Sequence, residues 1–156
     1  MWCDGACAVV WHFCRKSKIR MIEKIQERSL RFIYNDTSSS YVELLQKCNR
    51  NSLFVDRQKR LCVQVFKSLN GITPVYLNTG FDKQLQNYNF RDNYVLLQPR
   101  VNTVTHGLLS YRYHGAKMWN NLPVNIKCDT SLKNFKCHLN KCKCVQCNCL
   151  FCTLDL

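Results

Sequence analysis

The sequence predicts a mainly α fold: a small helical domain with a loop-rich middle and a Cys-rich tail. Three observations carry this. Apolar residues recur at helical spacing in several separate stretches, residues able to cap a helix stand just ahead of most of them, and strand-like character is confined to one short segment. The 156 residues, 46% hydrophobic with 5 Gly and 3 Pro, suffice to bury one core and are too few for two large domains.

The elements follow in order. Residues 3–14 are almost uncharged and stop at Arg15-Lys16, so residues 1–16 read as an apolar segment truncated from a larger fold. From Ser17, read as an N-cap, residues 17–34 form a helix with Ile22, Ile25, Phe32 and Ile33 on one side. The polar run 35–40 is a turn that supplies the next N-cap, and residues 41–48 form a short helix with Leu44 and Leu45 inward. Between positions 53 and 69, Leu61, Cys62, Val65, Phe66 and Leu69 keep helical spacing, and Asn70-Gly71 supplies a stop that tolerates left-handed backbone. Residues 78–105 have little periodicity and read as loop, with a short strand or hairpin at 94–98 at most. Helix resumes at 110–119, where Tyr111, Ala116, Met118 and Trp119 can pack, and Leu122-Pro123 ends it. Thr130 or Ser131 caps a last helix carrying Leu132, Phe135 and Leu139. The helical domain thus spans 17–139 and the tail 140–156.

The chain carries 23 Lys and Arg against 10 Asp and Glu, a net charge of +13, which points to a polyanionic partner, RNA or DNA. Arg20, Lys24, Arg28 and Arg31 recur every three or four residues and so share one helix face, either a solvated face eased by Glu27 or a stripe that tracks phosphates. Four such cations on a single strand predict a slope of about −3 in log affinity against log salt. Arg57, Lys59 and Arg60 crowd the first half of the 53–69 helix, where the helix dipole disfavours cations, and they join the candidate nucleic-acid-binding set. Tyr88, Phe90, Tyr111, Tyr113 and Trp119 are candidates for stacking on bases.

Catalysis is not expected. The acidic residues include no adjacent pair of aspartates and no Asp-x-Asp with which to hold two metal ions, and no phosphate-binding glycine motif is present. The longest apolar run, 6–13, is far short of the roughly 20 residues of a membrane span. The N-terminus also lacks the charged, apolar and small-residue order of a secretory signal. The expected compartment is therefore nuclear or cytoplasmic, not secreted, with no membrane partner and most of the 12 cysteines as thiols. The tail is the exception: six cysteines fall between 137 and 152, and His138 with Cys142, Cys144 and Cys147 makes the most feasible tetrahedral set for zinc. The alternatives for this tail are a disordered thiol-rich end or disulfides.

Several blocks together resemble a known family. They are Val9-Val10-Trp11-His12-Phe13-Cys14, the run Ile22-Glu23-Lys24-Ile25-Gln26-Glu27-Arg28-Ser29-Leu30-Arg31-Phe32-Ile33-Tyr34-Asn35-Asp36, and Tyr41-Val42-Glu43-Leu44-Leu45. In the same order follow Arg57-Gln58-Lys59-Arg60-Leu61, Val65-Phe66-Lys67-Ser68-Leu69-Asn70-Gly71 with Pro74 and Tyr76-Leu77, Tyr88-Asn89-Phe90-Arg91, Gly115-Ala116-Lys117-Met118-Trp119-Asn120-Asn121-Leu122-Pro123, and Ser131-Leu132-Lys133-Asn134-Phe135-Lys136. This succession is similar to the region C-terminal to the polymerase domain in non-LTR, jockey-like retrotransposon reverse transcriptases. The resemblance implies a non-catalytic C-terminal piece of an RNA-directed DNA polymerase that helps to hold element RNA or target DNA. The family's catalytic aspartates lie upstream of the matched region, and the upstream polymerase domain is itself an implied partner. Cys142-x-Cys144-x2-Cys147 resembles the family's terminal cysteine motif, with Cys149 and Cys152 in addition. The competing expectations are a metal-binding or redox-responsive protein centred on the tail, and a pseudogene product with no selected activity.

Overall fold

The computed structural model describes residues 13–14, 16–83, 94–103, 107–108 and 110–141. It is mainly helical. In chain order the helices are α1 (Lys16–Tyr34), α2 (Tyr41–Lys47), α3 (Leu53–Leu69), α4 (Val75–Asn78), α5 (Tyr111–Asn120), α6 (Val124–Lys127) and α7 (Leu132–Lys141). The chain forms two compact units, Met1–Gln58 and Lys59–Asp155, so the division falls inside α3 and inside the stretch read from sequence as one domain. Of the apolar segment read at 1–16, residues 1–12 and 15 lie outside the described residues, as do the cysteine-rich tail from Cys142 onward and Tyr88 and Phe90.

In the first unit the elements are joined by polar chemistry. α1 starts at Lys16, so Ser17 lies inside its first turn and does not cap it. Asn35 takes a positive φ of 46° and ends the helix. Asp36 then organises the joint, accepting from the backbone N–H of Ser38 and Ser39 at 3.1 and 3.0 Å and from the Lys47 ammonium. The lysine, before the serines, holds the Asp36 carboxyl well below the usual carboxylate range. Ser40 caps α2 as the turn chemistry requires: its hydroxyl accepts from the Glu43 N–H, and the Glu43 carboxylate accepts from the Ser40 N–H at 2.8 Å. Leu44 is fully buried and Leu45 half-buried.

One sequence reading is corrected on α1. The inward row is Ile19, Glu23, Gln26 and Leu30, all buried or half-buried, whereas Ile25, Phe32 and Ile33 are exposed and Ile22 is half-buried. Apolar periodicity pointed to the other side because two of the inward residues are polar. Their role is to satisfy the start of α3, whose first N–H groups have no partner within their own helix. Glu23 Oε1 accepts from the Phe54 N–H at 2.6 Å, and Gln26 Oε1 accepts from the Leu53 N–H at 3.2 Å. The Tyr41 hydroxyl bridges the same two acceptors, 2.6 Å from Glu23 and 2.7 Å from Gln26. Burial, then the hydrogen bond to the Glu23 carboxylate, pushes the Tyr41 phenol far above its usual range, so it stays a donor.

The second unit has an aromatic centre. Phe66 of α3 and Phe135 of α7 stack at 4.4 Å between centroids, and Trp119 of α5 lies 6.0 Å from Phe135. Leu61, Cys62, Val65, Ala116 and Leu139 are buried as well, at positions where helical spacing placed them, and Leu122, read only as part of a helix stop, is buried with them. Ser110 caps α5, its hydroxyl accepting from the Tyr113 N–H. Gly115 is required by contact: a Cβ there would sit 2.8 Å from Phe81 Cζ and 3.0 Å from Val65 Cγ2.

The 94–98 segment supplies one antiparallel bridge, between Leu96 and Lys83, with the Leu97 N–H donating to Asp82 O at 2.8 Å. The Asn120 side chain serves Leu96 as a neighbouring strand would, accepting its N–H at 2.8 Å and donating to its carbonyl at 2.9 Å. Trp119 Nε1 donates to Tyr94 O at 2.8 Å beside it. α4 and α6 are two single-turn helices that sequence reading took for the far side of helix stops; each begins directly after a proline, Pro74 or Pro123. Proline ends one helix, but its fixed φ also pre-organises the first turn of the next.

Candidate nucleic-acid interface

Arg20, Lys24 and Arg28 lie exposed along one face of α1, and among the described residues no carboxylate pairs with any of them. Lys18 and Arg50 are exposed in the same unit. Cations on neighbouring turns repel one another, and where no acid answers them the repulsion is relieved only by solvent ions or an anionic partner.

The remaining sequence-predicted cations are placed otherwise. Arg31 is half-buried and binds Glu27 Oε1 through Nε at 3.2 Å and Nη2 at 2.7 Å, while Nη1 donates to Thr37 O at 3.1 Å. It ties α1 to the joint with α2, and Glu27 offsets its charge. Arg57 is only 7% exposed. Its Nη2 lies 3.8 Å from Glu23 Oε1, and Nε and Nη2 are buried without a hydrogen-bond partner. A guanidinium so placed is not available to a phosphate backbone; it balances the charge of the carboxylate that caps α3. That resolves the unfavourable position of this cation near the helix start: the partner is on another helix. In the second unit, Lys59 is half-buried and Arg60 exposed.

Sequence reading passed over two features. On α7, Lys133, Lys136 and Lys141 are exposed, and the only signal in the sequence is the three-residue spacing of the first two; Lys141 follows five residues later. Among the described residues Phe32 is the most exposed aromatic, at 89%, and Tyr34, Tyr76 and Tyr94 are exposed as well. The stacking candidates Trp119 and Tyr111 are instead packed, Trp119 against Phe66 and Phe135 and Tyr111 edge-on to Phe81 at 5.2 Å, with the Tyr111 hydroxyl 3.2 Å from that of Ser68. Tyr113 is half-buried beside His114.

Of the candidate zinc ligands, Cys142, Cys144 and Cys147 lie outside the described residues. His138 is exposed, with Nδ1 2.8 Å from Asp129 Oδ2, an arrangement that leaves Nε2 for a ligand. A carboxylate behind the imidazole is also the usual orienting partner of a metal-bound histidine. His138 and Lys141 line a groove of about 280 Å3 with Asn125 and Ile126. Among the described residues no three His, Cys, Asp or Glu side chains are grouped to hold a metal ion. Cys14, Cys48, Cys62, Cys128 and Cys137 carry thiols and not disulfides.

Comparison with protein-family models, with curated proteins and with solved structures finds no match to this chain. Among the described residues no helix is long and apolar enough to cross a membrane.

Proposed function

We propose that the chain is a nucleic-acid-binding, non-catalytic C-terminal region of a retrotransposon-type RNA-directed DNA polymerase, holding RNA or DNA on the outer face of α1. The observation that carries this reading is the row Arg20, Lys24 and Arg28, exposed on one helix with no carboxylate paired to it among the described residues, in a chain of net charge +13. The ordered resemblance to the post-polymerase region supports it from the side of the sequence. The reading gives the chain a binding task and leaves the chemistry to a polymerase domain.

Because Glu27 already offsets Arg31, three cations and not four are counted on this face. On a single strand they contribute a slope of about −2 in log affinity against log salt, each released contact accounting for about 0.7. Titration of a fluorescent oligonucleotide across a salt series tests this. Lys24→Gln with Arg28→Gln is expected to flatten the slope by about 1.4 and to weaken binding at low salt, while far-UV circular dichroism stays unchanged because both side chains are exposed. An unaltered slope would remove α1 from the interface.

A further inference from the structure

The positive charge is not shared evenly between the two compact units. Lys59–Asp155 holds 13 of the 23 Lys and Arg and 4 of the 10 Asp and Glu, a net +9, against +4 for Met1–Gln58. The basic face of α1 thus belongs to the less charged unit, and the larger excess has no task in that reading. In the second unit α7 presents Lys133, Lys136 and Lys141 to solvent within about 12 Å of helix length. They share an arc of about 140° on the side of α7 away from its buried residues, Phe135 and Leu139.

Helix stability does not account for this row. Lys133 stands in the first turn, where the helix dipole disfavours a cation, and Lys133 and Lys136, three residues apart, repel each other; Lys141 in the last turn is the favourably placed one. Nor do acids neutralise it. Of the four carboxylates of this unit, Asp82 pairs with Arg112 and Asp129 with His138, while Asp92 and Asp155 lie outside the described residues. Among the described residues no carboxylate pairs with the three lysines.

The composition of the face decides what it receives. Apart from Cys137, every exposed residue of α7 is a lysine, an asparagine or His138. Such a face has no apolar stripe to bury in a lipid interface, and a second copy of the chain would set lysines against lysines. Protein–protein interfaces are depleted in lysine. Interfaces with nucleic acid are strongly positive and polar: lysines meet backbone phosphates, and amides such as those of Asn134 and Asn140 donate to phosphate and sugar oxygens.

We propose that α7 is a second nucleic-acid-binding surface of the chain, on which Lys133, Lys136 and Lys141 contact backbone phosphates independently of α1. It shares its class of partner with the α1 reading but rests on different residues in the other unit, so the two fail separately.

The experiment titrates a fluorescent unstructured RNA of about 16 nucleotides with the full chain. First, the α1 row is neutralised by Arg20→Gln, Lys24→Gln and Arg28→Gln. Salt-dependent binding is expected to persist: three phosphate contacts give a slope of about −2, so raising salt from about 50 to about 200 mM weakens binding about 20-fold. Adding Lys133→Gln, Lys136→Gln and Lys141→Gln should reduce that fall to about 2-fold or less. Arginine at the same three positions keeps the charge and should keep the larger fall. All six side chains are exposed, so far-UV circular dichroism is expected to stay unchanged throughout.

Loss of salt-dependent binding on neutralising α1 alone overturns the proposal and leaves α1 as the interface. Indifference of the remaining binding to glutamine on α7 overturns it as well. If the α7 substitutions alone abolish binding and those on α1 alone change nothing, the α1 reading falls and this one stands. Absence of salt-dependent binding by the unsubstituted chain overturns both. Polyglutamate or phosphatidylserine vesicles held as tightly as the RNA, and released by glutamine on α7, would assign the face to an acidic polypeptide or a lipid surface and overturn the proposal.

Discussion

His114 is half-buried on α5, where burial, and after it the nearby Lys117 ammonium, lowers its pKa below the ordinary histidine value. The sign of the consequence follows from proton counting. Below about pH 6.5 the unfolded chain takes up a proton that the folded chain resists, so the stability present at neutral pH is lost as pH falls toward the folded-state pKa. Urea unfolding between about pH 7.5 and about pH 5.5 should show the wild type losing stability on acidification and His114→Gln doing so less steeply. Parallel pH profiles for the two would refute the assignment. Asp36 acts in another range: its carboxyl is depressed, so its contribution is present at and above ordinary carboxylate pKa values and fades only in stronger acid. Mild acid should therefore be felt at α5 before the joint between α1 and α2.

At the scale of elements, the decisive contact is the carboxylate of one helix capping the start of another. Glu23 takes the Phe54 N–H and the Tyr41 hydroxyl and is the nearest counter-charge to the buried Arg57. Glu23→Ala and Glu23→Gln both leave that guanidinium buried without its counter-charge and are each expected to cost about 3–5 kcal/mol, with Glu23→Gln at the lower end because it keeps an acceptor for the Phe54 N–H. Hydrogen exchange provides the local readout: the Phe54 amide, slow in the wild type, should exchange fastest in Glu23→Ala. Wild-type protection of that amide in the alanine variant would show that Glu23 is not its cap. This network also explains what was and was not legible in the sequence. Ser40 with Glu43, Gly71 at a φ of +70° and Ser110 before α5 are local signals, and each marks a helix end where the spacing placed it. Ser17 resembled an N-cap equally well, yet the helix starts ahead of it. α4 and α6 are not legible in the sequence because Pro74 and Pro123 signal the stop of one helix without showing that the next turn of helix starts directly after them.

For the whole molecule, a charge of +13 on 156 residues has opposite consequences for stability and for the proposed binding. Self-repulsion disfavours the compact state and is screened by salt, with a Debye length of about 10 Å at 0.1 M. Raising salt from about 50 to about 300 mM is expected to raise Tm by about 2–4 °C, equivalent to roughly 1 kcal/mol for a chain of this size, while oligonucleotide affinity falls. Thermal unfolding followed by circular dichroism at the two salt levels checks this. A lower Tm at high salt would mean that attractive pairs such as Lys47 with Asp36 and Arg112 with Asp82 outweigh the excess of like charges.

By itself the sequence determined where most helices lie, which end residues stop or start most of them, that Phe66 and Phe135 lie on inward helix faces, and that the chain is strongly basic. These properties are local or additive: a cap needs a neighbour within three residues, a periodicity needs one helix, and charge needs only a sum. Only the tertiary structure decided which side of α1 faces inward, that Arg57 answers Glu23, that Trp119 is packed and Phe32 is bare, and that Gly115 lets Phe81 and Val65 approach. Each depends on a partner distant in sequence. Where Glu23 and Gln26 satisfy the start of α3, a polar row becomes the buried one and the apolar row is left outside.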